Sequence, residues 1–97
     1  MDKLLNNLVN AFGVSGSEGD VRNIIKEELK DIQCIVNEDK LGSLIVKLGE
    51  GQEKIMFCAH MDSIGFIVTF IEESGLIRVG KIGDFSSSDV INNLVRF

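Results

Sequence analysis

The apolar residues of this chain change their period near residue 33, and that change sets the fold class. Leu4, Leu5, Leu8, Val9 and Phe12 recur at helical spacing. Asp2 is placed to cap this first helix and Gly13 to stop it. Ser15 and Glu18 then fit the capping box S-x-x-E, whose side chains satisfy the first free N–H groups of a helix. Val21, Ile24, Ile25, Leu29 and Ile32 form the apolar stripe of that second helix. Glu18 and Asp20 near its start and Lys30 near its end suit the helix dipole.

Beyond residue 33 the pattern is that of strands. Cys34-Ile35-Val36 is a short candidate, and Asn37 to Gly42 is a turn signal. Ser43 to Leu48 reads as a strand, and Gly49-Glu50-Gly51-Gln52 as the next turn. Lys54 to Ala59 is strongly apolar, as expected of a strand buried on both faces. Gly65 to Ile71, the turn Glu72-Glu73-Ser74-Gly75 and Leu76 to Val79 read as a hairpin. The polar stretch Ser86-Ser87-Ser88-Asp89 reads as a loop. The apolar stretch from Val90 to Phe97 has no stop signal and reads as a chain ending inside a strand. Helices followed by strands place the chain in the α/β or α+β class. The organisation changes most sharply at residue 62, with β-hairpin character after it.

The 97 residues suffice for one small domain or part of a larger one, and 44% hydrophobic content supplies material for a core. A net charge of −5 argues against nucleic acid, whose phosphates call for a basic patch. The ten Lys and Arg residues are scattered, so no cluster addresses an anionic membrane. No apolar run approaches the roughly 18 residues of a membrane span. The polar, periodic start is unlike a signal peptide. Cys34 and Cys58 lie in apolar runs outside any C-x-x-C pair, which suits two reduced, buried thiols in a cytoplasmic protein.

His60 is the only histidine, and Asp62 follows it by two. Residues i and i+2 face the same side of a strand. An aspartate there accepts one imidazole N–H, fixes the tautomer and leaves the other nitrogen for a metal. From the residues alone, a histidine merely hydrogen-bonded at a strand end remains open beside the metal reading. So does a self-contained zinc site of Cys58, His60 and Asp62, since thiolate, imidazole and carboxylate are all zinc ligands. Nucleophile chemistry has little to stand on, because Cys58 with His60 is the only near pair and same-strand geometry does not aim one at the other. The segment from Gly13 to Ser17 lacks the lysine of a phosphate loop. Glu72-Glu73 falls in the hairpin turn, where solvated charge is expected.

The order of motifs is that of a known family. Gly13-Val14-Ser15-Gly16-Ser17-Glu18 and Val21-Arg22 come first, then Asp39-Lys40-Leu41-Gly42-Ser43. Ala59-His60-Met61-Asp62 runs into Ile64-Gly65-Phe66-Ile67-Val68, and Gly75-Leu76 and Ile82-Gly83 close the series. Over essentially its whole length the chain resembles the amino-terminal part of the tetrahedral or glutamyl aminopeptidases, two-metal metallopeptidases of which some carry the label endoglucanase.

The resemblance implies an α/β fold. Residues 1–62 would open a phosphorylase/hydrolase-like metallopeptidase catalytic domain, and residues 63–97 would begin an inserted β-rich self-association domain. It implies peptide substrates hydrolysed at their amino termini, no nucleic-acid or membrane partner, and homo-oligomers built through the inserted domain. It implies two divalent metal ions, zinc or cobalt, which activate a bridging water and stabilise the tetrahedral intermediate. His60 would be the first metal-ligand histidine. Asp62 would be the catalytic-centre carboxylate that orients it. The bridging Asp, the Glu-Glu pair, the further acidic ligand and the second His of the family have no counterpart in these residues. Ser63, Ser43 and Asp84-Phe85 depart from the family pattern of an acidic residue, Asn and a Gly-aromatic pair.

Ligand counting therefore leads to the expectation of an aminopeptidase fragment that neither binds metal tightly nor hydrolyses peptides by itself, since a catalytic zinc takes three protein ligands. A second expectation is a non-catalytic module that pairs its strands with itself or with a full-length relative.

Overall fold

A computed structural model describes residues 2–97. Helix α1 spans Asp2–Asn10 and helix α2 spans Gly19–Glu28. Strands β1 (Ile35–Glu38) and β2 (Leu44–Lys47) form one antiparallel pair, in which Val36 faces Val46. Strands β3 (Gly65–Ile71) and β4 (Ile77–Ile82) form a second antiparallel pair. Its register shifts between Val68 and Phe70, where a bulge leaves Thr69 to donate its hydroxyl to the Arg78 carbonyl at 3.2 Å. A short 3-10 turn, Ser87–Asp89, follows. The fold is thus mixed α/β.

Local chemistry closes each hairpin where the turn residues sit. Asp39 accepts from the backbone N–H groups of Leu41 and Ser43 at 2.9 and 2.8 Å, an Asx-type turn that Gly42 completes at φ +88°. In the second hairpin the Glu72 N–H donates to Leu76 at 2.8 Å, and Gly75 takes the left-handed conformation at φ +87°. After β4 the ring of Phe85 stands edge-on to Phe66 at 5.4 Å, with the Lys81 ammonium over it.

Several expectations are corrected. Glu18 is itself the N-cap of α2 and makes no side-chain cap bond. Its carboxylate instead accepts from Gly16 N–H at 2.7 Å, so the Ser15/Glu18 capping box does not form. A capping box does form at Ser86 and Asp89, in the stretch expected to be a plain loop. Lys54 to Ala59 is not a strand. It has no neighbouring strand to complete a ladder and no layer over either face, and Ile55, Met56 and Phe57 are 84%, 84% and 93% exposed. Cys58 is consequently exposed rather than buried, and Cys34 is half-buried. The stretch after Asp89 turns rather than extends, with Asn92 at φ 63°.

These differences share one cause. Two two-stranded sheets and two short helices provide no second layer over most apolar faces. The Cα radius of gyration is 17.5 Å, against about 13 Å for a compact domain of this length. Among the described residues Val21 is the one apolar side chain that is buried. It packs beside Gly13, also buried, where α2 meets the loop that follows α1.

Candidate metal centre

The loop of residues 13–17 meets helix α2 at Val21 and the segment leading into β3 at Met61 and Ser63, the neighbours of Asp62. The Ser63 N–H donates to the Gly13 carbonyl at 2.7 Å, and Val14 and Ser63 form an isolated parallel bridge. This bridge fixes the backbone next to Asp62. The loop is closed on its other side by Ser17 N–H to the Val14 carbonyl at 2.7 Å and by the Gly16 bond to Glu18.

His60 Nδ1 lies 3.0 Å from the Asp62 carbonyl oxygen and 3.2 Å from Asp62 Oδ1. Both neighbours are acceptors, which assigns the proton to Nδ1 and leaves the Nε2 lone pair free. The His60 side chain is 87% exposed and that of Asp62 43%, so Nε2 is open to a ligand from outside. Cys58 does not join them. No three His, Cys, Asp or Glu side chains converge on one point among the described residues. The self-contained Cys58–His60–Asp62 site is therefore corrected: with no ladder to enforce it, the alternation along residues 58–62 does not bring the three side chains together. The residues present fit one ligand to a metal, held from behind, and do not fit a complete coordination shell.

Charge around α2 supports this corner. Arg22 Nη1 donates to the Gly42 carbonyl at 3.1 Å, and its guanidinium lies 3.5 Å from Glu18 and 3.2 Å from Glu38. Lys26 reaches the same Glu38 at 2.7 Å, and that hydrogen bond holds the Glu38 carboxyl below its ordinary range. The Gly16 N–H does the same for Glu18, with help from the backbone of Glu18 and the charge of Arg22. As a motif, Val21-Arg22 assigns the arginine no role. The i,i+4 spacing of Glu18 and Arg22 was the available signal. The Glu72-Glu73 pair is a hairpin turn as expected, with Glu72 paired to Arg78 at 2.7 Å.

The sequence profile described as M42 glutamyl aminopeptidase matches residues 42–97. A relative from Acetivibrio thermocellus is 43% identical over the whole of this chain and 29% of its own length.

The chain belongs to the M42 glutamyl aminopeptidase family.

The lysyl aminopeptidase of Pyrococcus furiosus is 35% identical over 98% of this chain and 28% of its own. Among solved structures, the TET1 peptidase of Pyrococcus horikoshii superposes with a TM-score of 0.79 at 40% identity, covering 88% of this chain and 26% of that one. It is described as able to assemble into a tetrahedron or a large octahedral shell. A related solved structure, described as a dodecamer, gives a TM-score of 0.81 at 41% identity. This M42 family chain thus spans between a quarter and three-tenths of the length of these relatives. No helix among its described residues is long and apolar enough to cross a membrane.

Proposed function

We propose that this chain supplies one wall of the metal centre of a cytoplasmic aminopeptidase that removes amino-terminal residues from peptides. In this reading residues 1–62 open a phosphorylase/hydrolase-like catalytic domain. Residues 63–97 begin a β-rich domain through which copies associate. His60 Nε2 is the contribution to the metal, zinc or cobalt, and Asp62 holds the imidazole from behind. The observation that carries the reading is the contact of His60 Nδ1 with two acceptors of Asp62, which leaves Nε2 as an outward-facing lone pair. A bound divalent ion would supply Lewis-acid polarisation of the peptide carbonyl and an activated water. The protein's own part is to present one neutral imidazole in a fixed tautomer and orientation. The remaining ligands belong to the family length that this chain does not span, so the chain alone turns over no peptide.

The test is a cobalt titration followed by NMR. Broadening is expected first at the His60 ring and the amides beside it, and the amide broadening should disappear in His60→Ala. Broadening centred elsewhere, or hydrolysis of an amino-acid anilide by the chain alone, would overturn the reading.

The exposed apolar side chains favour a second reading, a non-catalytic module that associates with itself or with a longer relative. Phe57 is 93% exposed and Phe70 60%. A discrete small oligomer in sedimentation, insensitive to zinc, would support it, and a monodisperse monomer would remove it.

A further inference from the structure

Two glycines, Gly13 and Gly65, are pressed closely by valine side chains beside the Gly13–Ser63 hydrogen bond, next to Asp62, and these residues carry no chemistry of their own. A Cβ added at Gly65 would clash with Val14 Cγ2 and stand 2.9 Å from Val14 Cγ1. A Cβ added at Gly13 would stand 2.6 Å from Val21 Cγ2. Val14 therefore sits in a notch that exists because residue 65 has no side chain. Gly13 lets the loop press against the single buried apolar side chain of α2. The same two loop residues carry the Ser63 N–H bond and the Val14–Ser63 bridge.

We propose that Gly13 and Val14 form a positioning clamp for His60, with Gly65 as its matched notch. The chain of contacts is short. Val21 backs Gly13; Gly13 and Val14 fix Ser63; the backbone at Ser63 fixes the carbonyl and carboxylate of Asp62; and those two oxygens hold Nδ1–H. The clamp sets which ring nitrogen carries the proton and so which one faces out. Val14, Gly13 and Gly65 are positioning residues, and nothing requires them to touch a metal or a substrate. The inference rests on the reading of His60 as a metal ligand, but its geometry can be tested without any metal.

The test compares Gly65→Ala, Val14→Ala and the double variant in the full chain. The imidazole 15N shifts of His60 are read in alkaline buffer. In the unsubstituted chain the Nδ1–H tautomer should dominate. Gly65→Ala should lower the ratio of Nδ1–H to Nε2–H roughly threefold or more, the loss expected when one net hydrogen bond is given up. The double variant, which removes both clashing methyl groups, should restore most of it. Val14→Ala adds no clash and so should fold; it should loosen the clamp and shift the ratio in the same direction. A purely structural role would lower the melting temperature in these variants and leave the tautomer ratio of the folded protein where it was. That outcome, or an unshifted ratio in both single variants, would overturn the clamp. Failure of cobalt to broaden His60 in the unsubstituted chain would instead overturn the ligand reading, so the two failures are distinct.

Discussion

Arg22 on α2 donates from Nη1 to the carbonyl oxygen of Gly42 across 3.1 Å, tying the helix to the turn of the first hairpin. The same guanidinium reaches Glu18 before the helix and Glu38 on β1. With its side chain 19% exposed, Arg22 loses less to solvent screening than a surface pair would. Arg22→Ala should destabilise the chain by about 1.5–3 kcal/mol, the range for hydrogen bonds to a charged group. Arg22→Lys should recover only part, because an ammonium cannot span three acceptors as a planar fork does. Urea denaturation of both variants measures this, and equal stability of Arg22→Ala and the parent would refute it.

Asp39 organises the turn that Arg22 grips. Its carboxylate accepts from Ser43 N–H and Leu41 N–H, and Ser43 above all holds its carboxyl below the ordinary aspartate range. A carboxyl lowered in the folded state contributes stability above its unfolded value, near pH 4, and loses it as pH falls through the folded value. Asp39→Asn should therefore be less stable than the parent at neutral pH, and the difference should shrink as pH falls below about 4, so that its acid limb is shallower. An unchanged acid limb would count against the assignment.

Burial is concentrated at one point, so sensitivity to truncation should be too. Val21→Ala removes two methyl groups from the buried corner and should cost about 1–3 kcal/mol. Leu94→Ser, at a fully exposed position, should change stability by less than about 0.5 kcal/mol. Thermal melts of the two variants side by side decide this. Comparable losses would mean that the core lies elsewhere.

Much of this was legible in the sequence. Period located α1 and α2, and turn residues located both hairpins, because those signals act over a few residues; the expected caps did not form. The His60–Asp62 contact is also local, two residues apart, although the strand that would put both on one face does not form. The segment from Lys54 to Ala59 was not legible. An apolar run announces that it wants burial, but whether a neighbouring strand is there to bury it is a property of the whole assembly of layers. The clamp was hidden for a related reason. Val14 and Gly65 are far apart in sequence, and nothing local marks a glycine as a notch for a distant valine.

The uncovered run makes its own prediction. Ile55, Met56 and Phe57 should bind a hydrophobic dye and drive association at high concentration. Phe57→Lys should lower dye fluorescence and raise solubility while leaving the melting temperature within error, since the side chain is 93% exposed. A marked loss of stability would show that Phe57 is packed in solution.

The central claim is that His60 offers one outward nitrogen to a metal and that this chain does not complete the shell. Zinc titration followed by His60 imidazole 15N shifts and by thermal melting tests both halves at once. A zinc-dependent shift at Nε2 is expected, with no rise in melting temperature at about 0.1 mM zinc. A complete site with a Kd of about 1 µM would add about 2.7 kcal/mol at that concentration. A rise of that size, or a zinc response that leaves His60 unmoved, would contradict it.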